Sequence, residues 1–248
     1  AWRNAGAEVR MSVFCNLTEE DIFRSIAEMK KNIDECNILM ISGGFSAGDE
    51  PDGSGKFIAN VLNNKDIADS IHALLDRGGL ILGICNGFQA LIKSGLLPYG
   101  RLGQVTKDSP TLFRNDINRH ISQIVTTRVG TANSPWLSGF AVGDLHTIAV
   151  SHGEGKFVVN EDLAKELFAN GQVAFQYVDP LEEEPTMESP YNPNGSYYAI
   201  EGIISRNGQI LGKMGHTERY EGNLFKNIID EGLEQPLFDN AVAYFRGE

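Results

Sequence analysis

The sequence predicts an α/β sheet protein, and three observations carry that prediction. Two short, nearly continuous apolar runs, 37–41 (NILMI) and Leu80–Ile84 (LILGI), read as strands buried on both faces, the habit of parallel sheets. Each run ends in a glycine-containing turn, Gly43-Gly44 in the first case and Gly83-Ile84-Cys85-Asn86-Gly87 in the second. Helical segments alternate with these strands, which is the rhythm of α/β folds. Ligands in such sheets sit beyond the carboxyl ends of the strands, where both turns fall.

Taken in order, 9–14 reads as a strand. Thr18, followed three residues later by Asp21, opens a helix running to Lys31. After the 37–41 strand comes FSAGDEPDGSGKF, too rich in glycine and acid to be anything but loop. Helices are expected at Lys56–Leu62 and 66–76, then the Leu80–Ile84 strand and a helix over 87–94. From residue 121 the texture becomes strand-rich, with strands at Ile121–Val129, 147–150, 155–159 and 173–178. The prolines and glycine of PLEEEPTMESPYNPNGS forbid regular structure. Strands at 199–205 and 210–214 flank Asn207-Gly208, a strong hairpin signal. A last helix is expected near 223–231. No repeat interrupts the pattern, and one domain spanning 1–248 is the expected organisation.

Composition narrows the function classes. The net charge of −12 argues against a nucleic-acid backbone as partner. No run approaches the roughly 20 apolar residues of a membrane span, and Ala1-Trp2-Arg3 opens no signal-peptide pattern. Cys15, Cys36 and Cys85 are scattered, odd in number and without metal-ligand spacing, so a reducing cytoplasm is expected and no metal site.

Cys85 stands where a buried strand turns abruptly into a helix. Small residues two positions either side make room for an exposed central side chain, the elbow geometry of serine hydrolases with cysteine in its place. The helix N-terminus behind it favours a thiolate, and its free N–H groups can face a developing oxyanion. A plain core cysteine is the competing reading, because cysteine is among the most buried residue types.

The segment ILGICNGFQALIKSGLLP resembles the nucleophile segment of the class I, triad-type glutamine amidotransferases. Gly-Ile-Cys-Asn-Gly-Phe-Gln is especially similar to the amidotransferase portion of the phosphoribosylformylglycinamidine synthase family. That resemblance implies a flavodoxin-like, mostly parallel sheet with helices on both faces and additional antiparallel strands in the second half. It implies that Cys85 attacks the side-chain amide of glutamine and that Gln89, four residues on and on the same helix face, helps hold it.

A cysteine nucleophile needs a proton acceptor that later protonates the leaving amine, and histidine oriented by a carboxylate suits both jobs. His72, inside a helix, His120, among charged residues, and His146, before a strand, read as structural or solvated. Gly215-His216-Thr217-Glu218-Arg219 resembles the family's His-x-Glu-Arg segment, which makes His216 the base and Glu218 its orienter. A surface ion pair between Glu218 and Arg219 is the bland alternative. Ser151-His152-Gly153-Glu154-Gly155 is similar to the family segment that borders the glutamine site, so His152 is expected on the pocket wall. Gly43-Gly44-Phe45-Ser46, followed by Gly48-Asp49, resembles the family's oxyanion loop. On that pattern the amides of Gly44 and Asn86 form the oxyanion hole, with Gly43 and Phe45 beside the substrate. Gln176-Tyr177-Val178-Asp179 and Asn192-Pro193-Asn194-Gly195-Ser196 are also family-like, and the second reads equally as site-shaping or as loop structure.

The resemblance covers about residues 5 to 220 and departs at the front, where the family begins with an apolar inner strand absent here. A fragment of a larger synthase is therefore the expectation. The implied reaction is hydrolysis of glutamine to glutamate and ammonia, without a cofactor in this chain. The ammonia would pass to a synthase domain that uses ATP and Mg to make formylglycinamidine ribonucleotide from formylglycinamide ribonucleotide in purine biosynthesis. Another cysteine-dependent amide hydrolase or peptidase, or a non-catalytic interaction domain, remains the alternative.

Overall fold

The computed structural model describes residues 1–45, 53–222, 224–225, 228 and 234–247. The first half runs α1 (Glu19–Glu35), β1 (Ile38–Ile41), α2 (Lys56–Leu62), α3 (Lys65–Asp76), β2 (Leu80–Ile84), α4 (Asn86–Ser94) and the short α5 (Leu96–Tyr99). The second half holds β3 (Thr111–Phe113), β4 (Ile121–Val129), β5 (Leu145–His152), β6 (Lys156–Val158), α6 (Glu161–Ala169), β7 (Val173–Tyr177), β8 (Ile200–Ile204), β9 (Ile210–Lys213) and α7 (Leu237–Arg246).

Seven strands form one mixed sheet in the order β1-β2-β9-β8-β7-β4-β5, flanked by helices, while β3 and β6 pair apart from it. The α/β class expected from the sequence is the observed one. The sheet is mixed rather than mostly parallel: among the described residues β1 with β2 and β2 with β9 pair in parallel, and the strands of the second half extend the sheet in antiparallel fashion, as expected. The Asn207-Gly208 hairpin joins β8 to β9 with Gly208 in the left-handed region, at φ 75°. This hairpin carries the chain back beside β2 and so delivers the segment after β9 to the carboxyl end of the nucleophile strand.

Local sequence explains the helix starts. Thr18 caps α1 by accepting from the N–H of Asp21 at 3.1 Å, and the helix continues to Glu35, four residues past the expected end. All five residues of β2 are buried. One continuous apolar core runs from Ile33 and the inner face of α3 through β2 and α4 to β8, β9 and Phe238. A smaller cluster of Val125, Ile148, Val150, Tyr177 and Ala199 lies beneath the antiparallel strands.

Two expectations about strands are corrected. Residues 9–14 form no strand; Met11 and Val13 are exposed, and the segment is fastened along α1 instead. Asn32 donates to Ser12 Oγ at 2.9 Å and Ser25 Oγ accepts from the N–H of Cys15 at 2.9 Å, so helix contacts replace a ladder. β1 is half-buried rather than enclosed on both faces, because it is an outer strand of the sheet. The segment 180–196 lacks helix and strand as expected, yet Asn192, Asn194 and Ser196 within it are buried. The helix expected near 223–231 lies mostly outside the described residues.

Candidate active site

The elbow is built from backbone and glycine. Cys85 has φ 54° and ψ −107°, a conformation L-residues rarely adopt and one that costs on the order of 1–3 kcal/mol. It is held from both sides, because its N–H donates to the carbonyl of Lys213 at 2.8 Å while its own carbonyl accepts from the N–H of Gln89 at 3.0 Å. No side chain fits at the flanking glycines. A Cβ on Gly87 would lie 2.0 Å from the carbonyl oxygen of Ile41, and one on Gly83 would lie 2.5 Å from Leu91 Cδ1. The glycines are therefore demanded by the close approach of β1, β2 and α4.

Burial pushes the Cys85 thiol up to about 11, against the pull of the Asn86 backbone N–H; Glu218 adds to the rise, while Arg219 and the Gly44 N–H oppose it. The helix N-terminus thus acts in the direction read from the sequence, but desolvation outweighs it. The same two N–H groups converge on the sulfur where an oxyanion would form.

His216 sits behind Gly43. A Cβ at Gly43 would lie 3.0 Å from His216 Cε1 and 3.2 Å from Cys85 Cβ, so the missing side chain lets His216 and Cys85 both pack against this glycine, while the thiol itself donates to the carbonyl of Ser151 at 3.6 Å. His216 Nδ1 lies 2.6 Å from Glu218 Oε1, and the histidine is buried. A carboxylate only accepts, so Nδ1 is the donor, and Nε2 faces the cleft side with no partner among the described residues. Glu218 also stands 3.8 Å from Arg219 Nε, so both the ion pair and the imidazole contact are present.

The opposite wall is the turn from His152 to Gly155. Asn115 anchors it, donating from Nδ2 to the carbonyls of His152 and Arg119 and accepting at Oδ1 from the N–H of Gly155. That fixes the amide's orientation, so His152 Nδ1, 3.1 Å from Asn115 Oδ1, must be the donor. His152 Nε2 is then an acceptor with no partner among the described residues. Burial drives this histidine down to about 4, with His120 and His216 adding to the fall, so it is neutral at pH 7. Gln89 is buried on the inner face of α4 and donates to the carbonyl of Glu154, and Glu154 Oε2 accepts from the N–H of Ser54 at 2.8 Å. The Asn192–Ser196 turn supports the same wall: Asn194 Nδ2 donates to the carbonyl of Gly155 at 2.9 Å and to Tyr177 Oη at 3.1 Å.

Between the two walls lies an open cleft lined by Gly44, Phe45, Cys85, Gln89, His152 and His216, among others. The structure thus brings these together with Gly43 and Asn86, and Glu218 joins through His216. Phe45 is exposed at the rim. Gly48 and Asp49 lie outside the described residues. His72 and His146 are elsewhere; His72 Nε2 accepts from the N–H of Leu102, and His146 is buried within β5 against Phe140. Ser54, Ser151 and Arg219 also line the cleft. His120, read as structural or solvated, reaches the rim, 3.0 Å from Ser151 Oγ and 6.5 Å from the ring of Phe45. Only the antiparallel pairing of β4 with β5 brings it there, and nothing local to residue 120 signals that. Among the described residues no cluster of three or more His, Cys, Asp or Glu side chains is placed to hold a metal ion, and no helix is long and apolar enough to cross a membrane.

Comparison with known proteins gives a consistent result. Residues 1–245 match the model of the CobB/CobQ-like glutamine amidotransferase domain family. A phosphoribosylformylglycinamidine synthase subunit PurQ from Gloeobacter violaceus is 33% identical over 220 residues, covering 89% of this chain and 87% of that protein. The subunit of the same name from Methanococcus maripaludis strain C5 is 36% identical over 234 residues, covering 87% and 84%. Among solved structures, PurLQS from Thermotoga maritima superposes with a TM-score of 0.62 at 27% identity, over 86% of this chain and 81% of that one.

Proposed function

The chain belongs to the CobB/CobQ-like glutamine amidotransferase family, and from that premise we propose that Cys85, His216 and Glu218 release ammonia from glutamine for a phosphoribosylformylglycinamidine synthase. The observation that carries the assignment of residues is the placing of Cys85 and the Glu218-oriented His216 beside Gly43 in one cleft, with two backbone N–H groups at the sulfur.

Glutamine enters the cleft with its side-chain carbonyl toward Gly44 and Asn86. As Cys85 Sγ attacks the amide carbon, its proton passes to His216 Nε2, which explains how a thiol with a raised pKa can react at neutral pH. The Gly44 and Asn86 amides hold the tetrahedral oxyanion. His216 then gives the proton to the departing nitrogen, the C–N bond breaks, and ammonia leaves a thioester on Cys85. Water, deprotonated by His216, attacks the thioester; glutamate departs and the thiol regains its proton. Glu218 keeps the proton on Nδ1 and stabilises the imidazolium between steps. His152 Nε2 and Gln89 form the wall against which glutamine's N–H groups and chain are aligned, with Gly43 and Phe45 at the entrance.

Residues 1–248 act as one amidotransferase domain in the cytoplasm. The synthase partner, by the same reading, binds ATP and Mg and consumes the ammonia in forming formylglycinamidine ribonucleotide.

Treating the assembled protein with 6-diazo-5-oxo-L-norleucine, with and without excess glutamine, tests the assignment. Labelling is expected at Cys85, blocked by glutamine, and absent at Cys15 and Cys36. Labelling that glutamine does not block would favour another cysteine hydrolase. An intact protein that takes no label would favour a non-catalytic domain.

A further inference from the structure

The turn that carries His216 rests on an ion pair that the proposed steps do not use. Lys213, at the end of β9, and Glu201, in β8, have no exposed side-chain surface, and Lys213 Nζ lies 3.9 Å from Glu201 Oε1. Enclosing two charges carries a large desolvation cost, and apolar residues of the same volume would serve stability as well or better. Stability alone therefore gives no reason for the pair.

Each member reaches the chain beside His216. Glu201 Oε1 accepts from the N–H of Gly215, the residue before it. Lys213 Nζ donates to Thr217 Oγ1, the residue after it, at 3.0 Å, and to Gln235 Oε1 at 2.7 Å. Thr217 Oγ1 in turn donates to the same Gln235 oxygen at 2.7 Å, and the ammonium stands over the ring of Phe175, 4.9 Å from its centre. His216 itself donates its N–H to the carbonyl of Ala149 at 2.8 Å. The chain on both sides of the imidazole is thus gripped by one buried charge each.

We propose that Glu201 and Lys213 are positioning residues, holding Gly215 and Thr217 so that His216 stays within reach of Cys85. The inference rests on the reading of His216 as the base. Neither side chain touches substrate in it. The pair sets where the ring sits rather than what the ring does, and small displacements of a catalytic group are enough to cost up to about a hundredfold in rate.

The test uses the full polypeptide assembled with its synthase partner and compares the wild type with Glu201→Gln, Lys213→Met and the charge-free double variant. Melting temperature, glutaminase kcat and KM, and glutamine-blocked labelling of Cys85 are measured for each. Glu201→Gln keeps an acceptor for Gly215 but leaves the Lys213 ammonium unpaired, so melting temperature is expected to fall with a smaller loss of kcat than in Lys213→Met. Lys213→Met strands a buried carboxylate and is expected to lower both melting temperature and kcat. The double variant removes that stranded charge, so its melting temperature is expected to return to that of the wild type. Its kcat is expected to stay about tenfold low with KM unchanged, because Thr217 and Gln235 have lost their common donor. Full recovery of kcat with melting temperature in the double variant would overturn the positioning role and leave the pair merely structural. Absence of glutamine-blocked labelling at wild-type Cys85 would overturn the triad reading itself, and this inference with it.

Discussion

The two walls of the cleft are held by different physics. On the nucleophile side, β2, Cys85 and α4 are locked by backbone hydrogen bonds and by glycines packed against main chain, with residues 83–87 supplying the whole turn. On the opposite side, the His152–Gly155 turn is held by buried amides and hydroxyls from far along the chain: Asn115, Asn194 and Ser196. Steric locking stores strain and tolerates no added atom. A polar scaffold instead fixes direction, because each donor needs its acceptor once water is excluded. The first suits a sulfur that must be aimed at a carbon. The second suits the recognition of a polar substrate by lone pairs and N–H groups.

The sharpest separation of the two walls is chemical. Cys85→Ala removes the reacting atom and leaves the polar wall untouched. Glutamate release is expected to fall by at least about 10⁴-fold, while glutamine binding measured by calorimetry persists. Activity within tenfold of wild type would break the assignment of the nucleophile.

The next effect is mechanical. Gly87→Ala puts a methyl 2.0 Å from the Ile41 carbonyl, in a place where backbone must move. A loss of about 3 kcal/mol is expected in urea unfolding, with loss of kcat in the folded fraction, because the elbow opens as β1 and α4 separate. An unchanged unfolding midpoint would show that the turn is not sterically set, and the contrast between the walls would lose its basis.

The same contrast governs how much of the site is legible in the amino-acid sequence. The elbow is legible because its determinants are neighbours: an apolar run, two glycines and a helix start within a few residues. His216 and Glu218 are legible only through resemblance, since their meeting with Cys85 depends on the β8–β9 hairpin returning β9 beside β2. Asn115 is not legible at all; an asparagine in a loop becomes a site residue only when the chain before β4 meets the turn after β5. The strand expected at 9–14 is absent for the converse reason. Its composition suits a strand, but the side chains of Arg10 and Ser12 bond Glu35 and Asn32 of α1, and no described strand pairs with it to form a ladder. The helix Glu161–Ala169 is missing from the expected elements although Asn160 caps it from Oδ1 to the N–H of Leu163 at 2.8 Å, a signal present in the sequence. The buried pair of Lys213 and Glu201 leaves no local trace, because each charge sits in an otherwise strand-like run.

The smallest of these effects also separates the two sides, through pH. Folded His152 ionises at about 4, well below its ordinary 6.5, because burial disfavours the charged ring. Between those values the unfolded chain binds a proton that the folded protein refuses, so stability must fall as pH drops from 6.5 toward 4. His146, also held near 4 by burial and by Lys213, adds to the same slope. Cys85 behaves oppositely. Its folded thiol, raised from 9.0 to about 11, keeps a proton that the unfolded chain releases, so stability falls as pH climbs from 9 toward 11. Urea unfolding at pH 4.5, 7.5 and 10.5 should therefore show an acid flank of about 5 kcal/mol, shared by the two histidines, and an alkaline flank of about 2 kcal/mol. His152→Gln is expected to remove about half of the acid flank and spare the alkaline one; Cys85→Ala is expected to shrink the alkaline flank and spare the acid one. If either substitution changed both flanks equally, the walls would be one electrostatic unit rather than two.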